Sequence, residues 1–127
     1  NDVADKIIID ASNSVRMSPD GFETGAAALK QLTKCEHVVK GFNTTGYENM
    51  RNPQYGAVGI DMFTAGDSKK GKEIVKKLAY DLGFENCYDF GGDDKFKLIE
   101  DFAKSWINLA IMQGEGRNIA FKVLRRE

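Results

Sequence analysis

At 127 residues the chain has the length of one domain, because domains usually take about 100–200 residues, and a second full domain is excluded. Lys and Arg number 18 against 19 for Asp and Glu, a net charge of −1, and 42% of the residues are hydrophobic. That balance offers no basic field to hold nucleic acid or an anionic membrane, and it is too apolar for intrinsic disorder.

Lys6-Ile7-Ile8-Ile9-Asp10-Ala11 is a β-branched run that stops at Ser12-Asn13-Ser14, the look of a parallel strand covered on both faces. After a polar loop with Pro19 and Gly21, residues 24–34 place Ala27, Ala28, Leu29 and Leu32 on one side of a short helix. Residues 37–42 read as a second strand ending at Asn43-Thr44-Thr45-Gly46, and residues 47–59 as a loop rich in Asn, Pro and Gly. A third strand at 61–65 stops at Gly66-Asp67. The helix after it is the plainest element: Ile74, Val75, Leu78, Ala79 and Leu82 recur at helical spacing, Asp67 or Ser68 can cap its start, and Gly83 can close it in the left-handed conformation. Lys69, Lys70, Lys72, Lys76 and Lys77 cover its other face, the pattern of a solvated surface.

Residues 86–90 form a fourth strand ending at Gly91-Gly92. Asp93 or Asp94 is then expected to cap a long helix whose Leu98, Ile99, Phe102, Trp106, Ile107 and Ala110 form a broad apolar surface. Residues 118–124 carry Ile119, Phe121 and Val123 at period two and read as a last, antiparallel edge strand. Strand and helix in repetition predict an α/β fold with a mostly parallel sheet and flanking helices. Ligands of such sheets bind outside the carboxyl ends of the strands, so chemistry is sought in the turns 12–14, 43–45, 66–67 and 91–92.

Two of those turns carry Asn beside hydroxyl residues, groups that can hydrogen-bond a planar amide or a ribose and would suit a nicotinamide; Asn, Ser and Thr are equally ordinary turn formers. His37 stands at a strand start, at the opposite end from that rim, and no Ser/His/Asp or Cys/His set can be assembled around it. Cys35 and Cys87 lack metal-ligand spacing and read as small buried residues in a reducing compartment, so a cytoplasmic location is expected. Asp61, Asp67, Asp93 and Asp94 fall where capping explains them, and no metal site is expected. Gly114 and Gly116 follow a helix instead of a strand, which fails the structural condition for a dinucleotide glycine motif. No apolar stretch reaches the roughly 20 residues of a membrane helix, and the polar start is unlike a signal peptide. A start at Asn1, close before a strand, leads us to expect a beginning inside a larger protein.

Six stretches in order, Asp10-Ala11-Ser12-Asn13, residues 38–44 (VVKGFNT), residues 48–53 (ENMRNP), residues 61–67 (DMFTAGD), Asp81-Leu82-Gly83-Phe84 and residues 116–122 (GRNIAFK), resemble bacterial dinucleotide-binding reductases. These belong with the deazaflavin-dependent NADP oxidoreductases and are similar in part to the cytosolic domains of membrane metalloreductases. The resemblance implies a Rossmann-type NADP(H) domain that passes hydride between nicotinamide and a flavin, deazaflavin or other small-molecule acceptor. The chain corresponds to the carboxyl-terminal portion, residues 1–127 forming one domain without the glycine-rich turn that grips the pyrophosphate. By that matching Asn13, Ser14, Asn43 and Thr44 are the expected cofactor-binding residues; Ser14 stands where such proteins commonly have Pro, and Gly41 where they commonly have Ala. No catalytic acid or base is assigned, since the cofactor carries the reactivity. Trp106 and Phe102 offer either an aromatic wall or, as the favoured reading, core or subunit packing. An uncovered apolar surface is expected to meet the missing amino-terminal half or a second copy in a homo-oligomer. The chain alone is expected to be inactive, and the alternative function is a non-catalytic dinucleotide sensor or interaction domain.

Overall fold

The computed structural model describes residues 3–15 and 18–127; Asn1, with which the expected internal start was argued, lies outside the described residues. Among the described residues six strands and four α-helices follow in the order β1 (Ile7–Asp10), α1 (Gly25–Thr33), β2 (His37–Lys40), α2 (Tyr47–Arg51), β3 (Gln54–Tyr55), β4 (Val58–Gly59), β5 (Asp61–Thr64), α3 (Lys69–Leu82), β6 (Asn86–Asp89) and α4 (Phe96–Ile107). A 3₁₀ turn, Asp93–Lys95, leads into α4, and a π turn, Asn108–Met112, ends it.

β1 and β2 pair in parallel, as do β5 and β6. The two pairs are joined by an antiparallel bridge between Lys40 and Ala65, where Lys40 N–H donates to Ala65 O at 2.9 Å and Ala65 N–H returns the bond at 3.3 Å. The spatial order is therefore β1-β2-β5-β6, a mostly parallel α/β sheet with one reversal at its middle. The loop expected at 47–59 is more ordered than its composition suggests: it holds α2 and the β3–β4 hairpin, in which Gly56 takes a left-handed φ of 67° at the turn.

Alternation along the strands divides the core. Val38, Phe63 and Ala65 pack with Phe96 and Ile99 on the side of α1 and α4, whereas Met62 packs with Ala79 and Phe84 on the side of α3. α3 starts with Ser68 Oγ accepting the Gly71 N–H at 2.9 Å and stops at Gly83 with φ 105°. It lies close on β2 because Gly71 has no side chain; a Cβ there would meet Val39 Cγ1 at 2.8 Å. Its lysines face outward, Lys72 pairing with Asp89 and Lys77 with Asp81.

Residues 118–124 do not form the expected edge strand. Their polar groups are bound by side chains instead of a neighbouring backbone. Ile119 O accepts from Trp106 Nε1 at 2.6 Å and from Asn49 Nδ2 at 3.0 Å, and Val123 N–H donates to Asp61 Oδ2 at 2.8 Å. Period two in the sequence records an extended strap whose Phe121 ring packs 4.6 Å from that of Phe102. Phe102 sits among Phe63, Phe90 and Phe121, and Trp106 is buried, so both are packing residues. The expected Asp cap of α4 is also absent, since neither the 3₁₀ turn nor α4 has a side-chain cap bond.

Candidate functional site

Because β1 and β2 are parallel, the turns after them share one rim, and there Asn13 and Asn43 meet. Asn13 Nδ2 donates to the backbone oxygen of Asn43 at 2.9 Å, and Asn43 Nδ2 donates to Asn13 Oδ1 at 3.0 Å. Asn43 is 4% exposed, yet its Oδ1 has no hydrogen-bond partner. A buried acceptor left unpaired costs about 1–3 kcal/mol. Phe42, immediately before it, has φ 60°, a left-handed conformation that a bulky residue adopts at a cost. Thr44 is brought to the same turn but faces inward, its hydroxyl donating to Met62 Sδ at 3.9 Å.

Three charged side chains lie beneath this rim. Lys40 is 0% exposed, and its ammonium lies 3.0 Å from Asp10 Oδ2 and 2.9 Å from Glu100 Oε2 while also donating to the backbone oxygen of Ser12. The contact with Glu100 Oε2 is an ion pair without hydrogen-bond angles. The carboxylates reach on into the loop. Asp10 Oδ1 accepts from Ser12 N at 3.0 Å and Ser12 Oγ at 2.6 Å, and Glu100 Oε1 accepts from Ser14 N at 2.7 Å. Residues on both sides of Asn13 are thus held by buried charge. A proline at 14 would have no N–H for Glu100. At 41, a Cβ would meet Val75 Cγ1 at 3.0 Å, so glycine lets the rim lie tightly on α3.

Lys40 and Glu100 escaped the sequence reading, although a signal was there. Lys40 shares the strand face of Val38, and Glu100 lies four residues after Phe96 and three before Ala103, both on the buried side of α4. A charged residue at an apolar position of a regular pattern is buried with a partner.

The four turns expected on a single rim are split between two. The reversal of β5 carries the turns 66–67 and 91–92 to the opposite end of the sheet, where His37 also lies, its Nδ1 2.6 Å from Ser68 Oγ. Asp67 and Asp93 there accept each other's backbone N–H at 2.9 and 2.8 Å, and Lys30 pairs with both. The Asp93 amide hydrogen bond, with Lys30 nearby, holds the Asp67 carboxyl below the usual carboxylate range. Asp61 stands at the other end and serves the strap. Among the described residues no group of three or more His, Cys, Asp or Glu is arranged to hold a metal ion.

The rim is backed by α2. Asn49 Nδ2 contacts Thr45 Oγ1 at 2.9 Å and the backbone oxygens of Arg117 and Ile119 at 3.1 and 3.0 Å, while Tyr55 OH donates to Asn49 Oδ1 at 2.5 Å. Arg117 Nε donates to Glu48 Oε1 at 2.6 Å, and its guanidinium lies over the rings of Trp106 and Tyr47. The hydrogen bond from Arg117 holds the Glu48 carboxyl below its ordinary value. Both cysteines are free: Cys35 is buried and donates to Lys6 O, and burial pushes the Cys87 thiol up to about 11. No described helix is long and apolar enough to cross a membrane.

No family model and no curated protein matches the chain. Among solved structures, a proposed F420-dependent NADP reductase from an Arthrobacter species is similar with a TM-score of 0.79 at 25% identity, over 96% of this chain and 59% of that one. A hypothetical protein from Sinorhizobium meliloti has the same fold with a TM-score of 0.60 at 22% identity, over 98% of this chain and 59% of that one. The chain spans less than two thirds of either protein. The likeness agrees with the six sequence stretches: the chain resembles the deazaflavin-dependent NADP oxidoreductases and has their Rossmann-type α/β fold.

Proposed function

We propose that this chain is the nicotinamide end of an NADP(H)-dependent oxidoreductase that passes hydride between the nicotinamide and a flavin-like acceptor such as a deazaflavin. The observation that carries the reading is the Asn13–Asn43 pair at the carboxyl ends of two parallel strands, with the Oδ1 of Asn43 buried and unpartnered. The similarity to a proposed F420-dependent NADP reductase supports it. A bound nicotinamide supplies the hydride chemistry; the protein orients it and keeps water away. Asn43 Oδ1 accepts from the carboxamide, Asn13 keeps the Asn43 side chain turned for that bond, Ser14 anchors the loop to Glu100, and Thr44 sets the turn from below.

A pyrophosphate grip belongs, in this reading, to residues outside these 127. The outer edge of β1 has no partner strand among the described residues, and its three isoleucines are only partly buried. That edge is where further chain would add a strand. NADPH oxidation by the complete gene product, assayed with flavin and deazaflavin acceptors, tests the proposal. Turnover is expected, with Asn43→Ala weakening NADPH by about tenfold through loss of one buried hydrogen bond. Unchanged affinity in Asn43→Ala counts against the site, and tight binding without transfer to any acceptor identifies a sensor.

A further inference from the structure

We infer that Asp10, Lys40 and Glu100 make the rim distinguish the two redox states of the nicotinamide, holding the oxidised ring more tightly than the reduced one. The inference rests on the reading of Asn13 and Asn43 as the nicotinamide site. NADP+ and NADPH carry the same phosphates and the same carboxamide, and they differ by the positive charge of the oxidised ring. The reduced ring also gains a hydrogen and loses its planarity, so the electric field at the ring is read from how the affinity ratio changes when one buried charge is removed.

The field has an identifiable source. One ammonium stands against two carboxylates, so the group has a formal excess of one negative charge, and all three side chains are nearly or fully shut off from water. Each member is tied to the loop that bears Asn13, through Ser12 or Ser14, so the excess charge is fixed directly under the rim. Other charged groups are placed differently. Arg117 and Glu48 balance each other, and the group of Lys122, Asp61 and Glu85 is open to water through Glu85. A buried, uncompensated charge acts through a low effective dielectric, and one unit at such a site is worth about tenfold in affinity for a cation. The unpartnered Asn43 Oδ1 adds the negative end of a carbonyl dipole on the same side.

Isothermal titration of the complete gene product with NADP+ and with NADPH, on the wild type and on the isosteric variants Glu100→Gln and Asp10→Asn, tests the inference. The wild type is expected to bind NADP+ more tightly. Each variant removes one negative charge and is expected to lower the preference for NADP+ by about tenfold, with NADPH affinity changed less than about threefold. If the group only props the loop in place, both nucleotides weaken together and the ratio is unchanged; that result overturns the inference. A wild type that binds NADPH more tightly overturns it without any variant, so the test survives a variant that fails to fold. Binding of neither nucleotide by the wild type is a different failure, that of the nicotinamide reading itself.

Discussion

Lys40 shows how much of the site depends on single residues. Its ammonium is held by hydrogen bonds to Asp10 and the Ser12 backbone oxygen and by the ion pair with Glu100, and the side chain is shut off from water. Removing one partner of a buried charged group leaves the others uncompensated, which costs about 3–5 kcal/mol. Lys40→Met is therefore expected to lower stability by about that much in urea denaturation, whereas an exposed lysine such as Lys70 should tolerate the same change within about 0.5 kcal/mol. The cysteines give a prediction of the opposite kind. Cys35 is buried away from reagents, and with the Cys87 thiol raised to about 11 the Cys87 thiolate is scarce at neutral pH. A disulfide-exchange reagent should label neither at an appreciable rate in the native protein and both rapidly in denaturant. At this scale the placing of the two asparagines on one rim was legible in sequence, since two strand ends shared the pattern of Asn with hydroxyl neighbours. The buried charges beneath them were not, because Asp10 and Lys40 look like ordinary strand ends until Glu100, sixty residues after Lys40 in the chain, is brought to them by α4.

Among the elements, α3 was legible in its bounds, since its Ser68 cap and its Gly83 stop are local signals that the structure keeps; of its apolar positions Val75 and Ala79 are buried, whereas Ile74, Leu78 and Leu82 are exposed. The strap at 118–124 was misread because alternation records which side chains are covered and says nothing of what the backbone bonds to. Asp61, whose carboxylate accepts from Val123 N–H and Lys122, is the clasp. Asp61→Ala is expected to free the strap, so that trypsin cuts after Lys122 early while the remaining chain resists; digestion at an unchanged rate would show that the aromatic contact of Phe121 suffices. The entry to α4 was misassigned for a related reason, since Asp93 uses its carboxylate on the Asp67 amide and leaves the helix start to a 3₁₀ turn. Asp67 is held below the usual carboxylate range chiefly by the Asp93 amide. A depressed carboxyl contributes stability at pH values above its unfolded value, and that contribution is lost as pH falls through the folded value. Stability should therefore decline below about pH 4, and Asp67→Asn should flatten the curve in that window.

For the molecule as a whole, the α/β class and the parallel pairing of β1 with β2 followed from the order and composition of the strands. The reversal at β5 did not, because strand direction leaves no mark on the residues of the strand itself. That reversal shapes the candidate site, since it leaves one rim for the two asparagines and sends the glycine turns to the other end. The open edge of β1 belongs to the same scale. The 127 residues alone should bind NADPH weakly or not at all in calorimetry, whereas the complete gene product should bind it, and micromolar affinity of the short chain would show that the pyrophosphate grip is not needed. The most direct test of the central claim is a crystal structure of the complete gene product with NADP+. The nicotinamide carboxamide is predicted to donate to Asn43 Oδ1 on the Asn13 rim; a ring found at the opposite end, beside Asp67 and Asp93, would contradict the account.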